Sequence, residues 1–393
     1  MTLHLCVIPT FLSHRYDKHP SESGSFYWQQ AAIVQHYCGW TARLLFPKPY
    51  SILRNGIHNW HTDITTDTTP EGIDVWRGYR PYLIPQRYRH TRILLHQLFD
   101  RYCATYGTPH LFWLQSTNQN HPITAATFQL SQRYNIPFFA IEHTDIYRLK
   151  KDRYANHTLS ANALFLATVS AHMRAKLDHL TPNPPPTSPP LDILHNPVPE
   201  AFATPHPAPR KHDNFTFCNV GYLRQDKNQH LLIEAFAHFH ARTPKSHLLL
   251  IGDGPNKQTL LQHIARHKMT NHVTLSGYVK DQAKLRQLME QAHVFITATS
   301  HETFHLALVE ALSCGLPCIT TPYGIAPEVI TNHNGIIIAS PDSSLLYDSL
   351  CRVYDRYHHY DAPTIRKHAL ESFAPSRFAS RLQALLRHNG FQV

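Results

Sequence analysis

The sequence has no apolar run of about 18 residues or more, so no transmembrane helix is expected. Its first residues, MTLHLCVIPTF, carry neither a basic leader region nor a small-residue cleavage site. They read as a β-strand and not as a signal peptide. The seven cysteines, at 6, 38, 103, 218, 314, 318 and 351, show no paired spacing. They are expected to be reduced thiols of a cytoplasmic protein. There is no H-E-x-x-H, no Cys/His cluster and no internal repeat, so neither a metal site nor a solenoid is expected. The 32 histidines are dispersed and read as a compositional habit.

The chain has 393 residues, of which 42% are hydrophobic. That suffices for two ordinary domains with real cores. The formal charge is +10, which favours polyanionic partners such as a nucleotide diphosphate, an anionic membrane surface or nucleic acid.

Short apolar runs alternate with amphipathic stretches. Strands are expected at 3–9, 41–46, 110–115, 137–141 and 164–169, with helices at 25–38, 123–134 and 171–179. Two proline-rich stretches follow, TPNPPPTSPP at 181–190 and TPHPAPRK at 204–211, with a short strand in LDILHNPVPEAF between them. A second series then places strands at 215–220, 247–251, 272–276, 293–298, 317–320 and 335–339. Its helices are expected at 228–241, 256–268, 281–291, 305–314 and 342–356, with a last one at 376–388. This βα rhythm predicts two doubly wound α/β domains, each built on a parallel sheet, facing a central cleft. The expected division is 1–197 (with the Pro-rich loop 181–190), a linker 198–211, a ligand-binding domain 212–372, and a terminal segment 373–393 packing back on the first domain.

The stretch TATSHETFHLALVEALSCGLPCITT, residues 297–321, carries the most chemistry. A strand ends at small residues, a helix starts near Phe304, and Gly315 suits the left-handed position past its end. A helix N-terminus offers free N–H groups and a positive dipole end to a diphosphate. Glu302 precedes the helix and Glu310 lies within it, at most about 12 Å apart. That separation fits carboxylates accepting hydroxyls at the two ends of a nucleotide-sugar. By spacing alone, a dipole-favoured Glu302 with an incidental Glu310 remains equally open.

Glu302, seven residues, Glu310, then Ala311 and Gly315-x-Pro317 resemble the E-x7-E signature of retaining GT4 glycosyltransferases of GT-B fold. VGYLRQDKNQHLLIEAF (220–236), LLLIGDGP (248–255), HVTLSGYV (272–279), YGIAPEVI and Asn334-Gly335 resemble the flanking family stretches, in order. The N-terminal half resembles polysaccharide-building members more loosely, through Gly24, Phe26, Gln30-Ala31, IPFFAIEHTDIY, Ser170 and HNPVPEAF.

The resemblance implies transfer of a sugar, with retention, from a nucleotide-diphosphate sugar to a glycan or lipid-linked acceptor. No cofactor or metal is implied. Lys227 would contact the diphosphate. The usual arginine stands at 222, which is Tyr222 here, and Arg224 is its candidate replacement. Glu302 would touch the transferred sugar, with His143 near it, and Glu310 the ribose. Phe304, His305 and Leu306 match a loop whose backbone N–H groups approach the donor, and the family commonly has Gly at 305. Gly24 and Gly221 match phosphate-side glycines, and Tyr278 and Val279 the nucleobase side. Two other readings stay open: a GT-B sugar-nucleotide epimerase, and a non-catalytic partner protein, the latter suggested by Tyr222 and His305.

Residues 76–101, WRGYRPYLIPQRYRHTRILLHQLFDR, hold six arginines interleaved with aromatics. Two readings are open: a surface lying on an anionic membrane near a lipid-linked acceptor, or a solvated helix face over a buried stripe of Ile93, Leu94 and Leu98. No nucleic-acid module accompanies the stretch. The expected location is cytoplasmic, with peripheral attachment to the membrane's inner face.

Overall fold

A computed structural model describes residues 2–10, 25–51, 62–83, 87–117, 121–143, 163–180, 188–207 and 209–393. Gly24 and residues 181–187 of the proline-rich loop lie outside the described residues. The chain forms two compact units. One comprises Met1–Val169, Met173–Leu194 and Ala379–Val393; the other Ser170–His172 and His195–Phe378.

The first unit holds β1 (His4–Ile8), β2 (Thr41–Ser51), β3 (Asp63–Thr68), β4 (Asp74–Tyr82), β5 (Leu111–Leu114), β6 (Phe138–Glu142), β7 (Ala163–Thr168) and β8 (Leu191–Ile193). Its helices are α1 (Ser25–Cys38), α2 (Arg87–Tyr106), α3 (Pro122–Tyr134) and α4 (Ala171–Leu180), the last beginning in the other unit. The eight strands are ordered β3-β4-β2-β1-β5-β6-β7-β8. Helix α3 shows how sequence sets its ends. Pro122 opens it, where a missing N–H costs nothing. Asn135 closes it at φ +51 with its N–H on the Ser131 carbonyl.

One expectation is corrected here. The sheet is not wholly parallel, because β3 pairs antiparallel with β4. Neither strand is among those expected from the sequence. Only Thr69-Pro70-Glu71-Gly72-Ile73 separates them, too short for a crossover, so a hairpin is the outcome. Gly72 donates to the Thr69 carbonyl at 2.9 Å and takes φ +79.

The basic-aromatic stretch divides between β4 and α2. Arg77 pairs with Asp67 at 3.2 Å. Arg80 donates to Thr62 Oγ1 at 3.1 Å and His90 Nδ1 at 3.3 Å. Leu94 and Leu98 are fully buried and Ile93 half-buried. They pack so close to β4 that a Cβ on Gly78 would lie 2.8 Å from each leucine. Arg89, Arg92 and Arg101 stay exposed. Among the described residues, no helix is long and apolar enough to cross a membrane.

The second unit has β9 (Phe215–Val220), β10 (Ser246–Ile251), β11 (Val273–Gly277), β12 (Val294–Ile296), β13 (Cys318–Thr320) and β14 (Gly335–Ile337), all parallel. Its helices are α5 (Glu200–Ala203), α6 (Gln229–Arg242), α7 (Lys257–Arg266), α8 (Gln282–Gln291), α9 (Leu306–Ser313), α10 (Ala326–Val329), α11 (Ser343–Asp355) and α12 (Ala362–Phe373). A last helix, α13 (Pro375–His388), passes from this unit into the first. Aspartates cap three helix starts: Asp281 on the amides of 283 and 284, Asp342 on 344 and 345, and Asp361 on 364. The core stacks Phe217, Phe236, Phe239, Leu248 and Leu250 between sheet and helices. The described residues of 198–211, expected as a linker, belong to this unit. Lys211 Nζ donates to the Ala292 carbonyl, and His206 Nε2 lies 2.6 Å from Glu290.

Candidate active site

The second sheet is ordered β11-β10-β9-β12-β13-β14. Numbered by appearance within the unit, that is 3-2-1-4-5-6, the doubly wound order that reverses between its first and fourth strands. Chains leaving β9 and β12 therefore diverge to opposite faces and leave a crevice beyond their carboxyl ends. Asn219 Nδ2 bridges the two strands through the Ile296 carbonyl at 2.8 Å.

A cavity of about 250 Å³ occupies that crevice. The loop after β9 contributes Gly221, Tyr222 and Lys227; the segment after β12 contributes Thr297, Glu302 and His305; and α9 contributes Leu306 and Ala307. Asn228, at φ +52, locks the two loops together. Its Nδ2 donates to the Ala298 carbonyl at 2.8 Å and to Ser300 Oγ at 2.7 Å. Ser300 N–H returns a bond to the Asp226 carbonyl at 2.8 Å.

Backbone packing explains the glycines of the β10 turn. A Cβ on Gly252 would lie 1.9 Å from the Gly221 carbonyl oxygen, and one on Gly254 would lie 2.4 Å from that of Leu223. The β9 loop is thus laid directly onto the β10 turn, and Gly221 N–H reaches the Ile251 carbonyl at 3.0 Å. At the other end of α9 the chain stops as expected. Gly315 takes φ +72, with the Leu316 N–H on Ala311 and the Gly315 N–H on Leu312, the paired bonds of a Schellman motif.

Lys227 Nζ donates to Glu302 Oε1, and both side chains are more than four-fifths buried. His305 caps α9 with φ +81, a conformation costly for any residue with a Cβ. That backbone accounts for the glycine usual at this position in the resembled family. The His305 ring is buried, its Nδ1 has no hydrogen-bond partner, and Nε2 lies 3.9 Å from Glu302 Oε1. Burial holds its pKa down at about 4, so the imidazole is neutral at pH 7. The loop's course is fixed from behind. Ile325 N–H binds the Phe304 carbonyl at 2.8 Å, and a Cβ on Gly324 would lie 2.5 Å from that oxygen.

Glu310 lies one turn into α9, 5% exposed. Burial raises its carboxyl pKa to about 7. Among the described residues no donor hydrogen-bonds that carboxylate. Glu310 is not among the residues that line the cavity, which on α9 stops at Leu306 and Ala307.

The structure thus brings Gly221, Lys227, Glu302, His305 and Leu306 together around one cavity. Phe304 is buried behind it, against His195 and Phe373. Arg224, the candidate replacement for the missing arginine, turns to Asp226, with Nη2 2.6 Å from Oδ2, and does not line the cavity. Tyr278 is 58% exposed and Val279 half-buried at the end of β11, two strands from β9. His143, in the first unit, packs on Phe26 and Tyr27 with both ring nitrogens unpartnered. Burial lowers its pKa to about 3. Sequence reasoning missed Asn219, Gln229 and Thr297, which also line the cavity. Asn219 sits at the carboxyl end of a buried strand, and a polar residue there was the available signal.

Residues 203–362 match the family model described as glycosyl transferases group 1. These residues are similar to that family. The phosphatidylinositol N-acetylglucosaminyltransferase gpi3 subunit of Schizosaccharomyces pombe is 30% identical to this chain over 167 residues, 42% of this chain and 36% of that protein. The alpha-monoglucosyldiacylglycerol synthase of Acholeplasma laidlawii is 35% identical over 109 residues, covering 28% and 27%. The matched stretches thus span about a third of these relatives' lengths or less. Among solved structures, a sucrose-phosphate synthase from Thermosynechococcus elongatus superposes with TM-score 0.68 at 17% identity, covering 98% of each chain. Anabaena HepE in complex with UDP and glucose gives 0.68 at 15%, covering 98% and 99%. The chain therefore has the GT-B fold.

Proposed function

We propose that this chain is a retaining glycosyltransferase that moves a sugar from a nucleotide-diphosphate sugar to a hydroxyl of a glycan or lipid-linked acceptor. The observation that carries the proposal is the crevice beyond β9 and β12. It sets a cation, Lys227, against a carboxylate, Glu302, beside a helix start; Glu310, an unbonded carboxylate one turn further along that helix, lies behind the lining residues. The arrangement suits a diphosphate between a sugar and a ribose. Lys227 and the amino end of α9 offer positive potential where charge develops on the departing diphosphate. Glu302 accepts from sugar hydroxyls and Glu310 from the ribose diol. In this scheme the acceptor hydroxyl attacks from the leaving-group side and a diphosphate oxygen takes its proton. The protein holds the reactants and stabilises charge, and no metal is required of it.

Support comes from relatives named as glycosyltransferases, two of them with lipids in their names, and from structural neighbours solved with UDP and a sugar. The test is calorimetric binding of UDP, GDP and ADP and their sugars, followed by product analysis with and without acceptor. Tight binding of one diphosphate and sugar transfer to an added hydroxyl support the reading. Failure of every nucleotide to bind refutes it, and epimerised donor without transfer would favour an epimerase.

We further propose that α2 lies on an anionic membrane, on the cytoplasmic side, where a lipid-linked acceptor would be met. Exposed Arg89 and Arg92 follow Tyr88, itself 41% exposed, within about one helical turn. Binding to vesicles containing phosphatidylglycerol should fall on Arg89→Glu/Arg92→Glu and with added salt. Unchanged binding removes this reading.

A further inference from the structure

His305 is an anomaly on two independent counts. Its backbone sits at φ +81, where glycine is the unstrained choice. Its ring is buried on the cavity wall with Nδ1 unpartnered. A residue that is strained in the backbone and unsatisfied in the side chain lowers the stability of the empty protein twice over. Such outliers cluster where a ligand gains from them. The ring lies 3.9 Å from the Glu302 carboxylate, too far for a hydrogen bond and close enough for both groups to reach one pyranose. Across the cavity, buried Asn219 Oδ1 is also without a partner.

We propose that His305 reads the transferred sugar directly, its imidazole hydrogen-bonding a sugar hydroxyl beside Glu302 and so selecting among donors that share a nucleotide but differ in hydroxyl configuration. The inference rests on the transferase reading of this cavity. The imidazole is neutral, with burial holding its pKa at about 4. It therefore offers one donor and one acceptor instead of a charge. A hydroxyl bonds one ring nitrogen and can serve it whether that nitrogen is protonated or not, whereas a phosphate oxygen serves only the protonated one. The two nitrogens also make the ring directional, so epimers that move a hydroxyl from equatorial to axial break the match. A glycine at this position contributes no such reading, which makes His305 a property of this chain's own site.

The test compares wild type, His305→Gly and His305→Asn. Glycine takes φ +81 without strain, so His305→Gly keeps the loop, verified by an unchanged or raised Tm. Asparagine tolerates the left-handed region and restores one donor and one acceptor. Binding of UDP and GDP alone is measured first, then of UDP-glucose, UDP-galactose, UDP-N-acetylglucosamine and GDP-mannose, and finally kcat/KM with the preferred donor and its epimer. The expected result is that His305→Gly binds the free diphosphate within about threefold of wild type, loses about tenfold or more on the preferred nucleotide-sugar, roughly one hydrogen bond, and discriminates less between epimers. His305→Asn should recover part of the loss. Undiminished selectivity in His305→Gly overturns the inference. So does an equal loss on free diphosphate and nucleotide-sugar, which would put the ring's role at the phosphates. If the wild-type protein binds no diphosphate, the transferase reading fails first, and that outcome is distinct from both.

Discussion

Lys227 and Glu302, 75 residues apart in sequence, meet as an ion pair on the wall of the cavity between β9 and β12. Each neutralises the other. An arriving diphosphate competes for the lysine, and an arriving sugar for the carboxylate. Lys227→Ala should therefore weaken nucleotide diphosphate binding by about 10- to 30-fold, the low end for a partly buried charge pair. Glu302→Gln should leave that binding unchanged or tighter, because it releases the lysine, while transfer falls by about 100-fold. Calorimetry and turnover separate the two effects. A loss of diphosphate affinity in Glu302→Gln would contradict the assignment.

Arg224 offers a contrast. Its guanidinium is taken up by Asp226 and does not line the cavity. Arg224→Ala is expected to cost no more than about threefold in diphosphate affinity, as for a half-exposed ion pair. A loss as large as that of Lys227→Ala would mean that the side chain swings in with the ligand and replaces the arginine absent at Tyr222.

Glu310 gives the site a pH signature. Its folded pKa, about 7, lies above its ordinary value of 4.5 because burial penalises the anion. Between those values the folded state holds more protons than the unfolded one, so stability falls as pH rises from 4.5 towards 7 and the full cost stands above 7. Glu310→Gln should raise Tm at pH 8 and lose that advantage below pH 4.5, the difference being at most about 3 kcal/mol. Ribose hydroxyls donating to the anion would pull its pKa down, so nucleotide binding at pH 7 should release protons. Heats measured in buffers of different ionisation enthalpy detect this. Proton uptake, or no linkage with Glu310 present, would exclude a ribose-facing anion.

Two glycines should separate folding from binding. In Gly252→Ala the new Cβ meets the Gly221 carbonyl oxygen at 1.9 Å, so the β9 loop must move. A cost of about 2 kcal/mol, or roughly 4–8 °C in Tm, is expected together with loss of nucleotide binding. In Gly221→Ala the nearest atom is Gln229 Nε2 at 4.0 Å. That variant should keep its Tm within about 2 °C yet bind nucleotide about tenfold more weakly, by narrowing the cavity wall. Equal thermal losses in both would refute the distinction.

Most of the second unit was legible from sequence because local rules agree there. Six apolar runs with amphipathic stretches between them dictate a parallel α/β layer. Asp281, Asp342 and Asp361 mark helix starts, and Gly315 can only follow a helix end. The first unit was less legible where β3 and β4 form a hairpin. Arg77, Gly78, Arg80 and Pro81 interrupt the apolar alternation of β4, and the arginines' partners Asp67 and Thr62 come from β3 or its start. Sequence also supplied Lys227, Glu302, His305 and Glu310 as a set, because the helix-start pattern and its flanking stretches are local. Tertiary structure alone decided what each one does. Which carboxylate is paired and which is buried without a donor depends on the strand order that puts β9 beside β12. That Lys227 is held by Glu302 follows from packing between segments 75 residues apart, which no local pattern records, whereas Arg224 turns away to a partner only two residues along the chain.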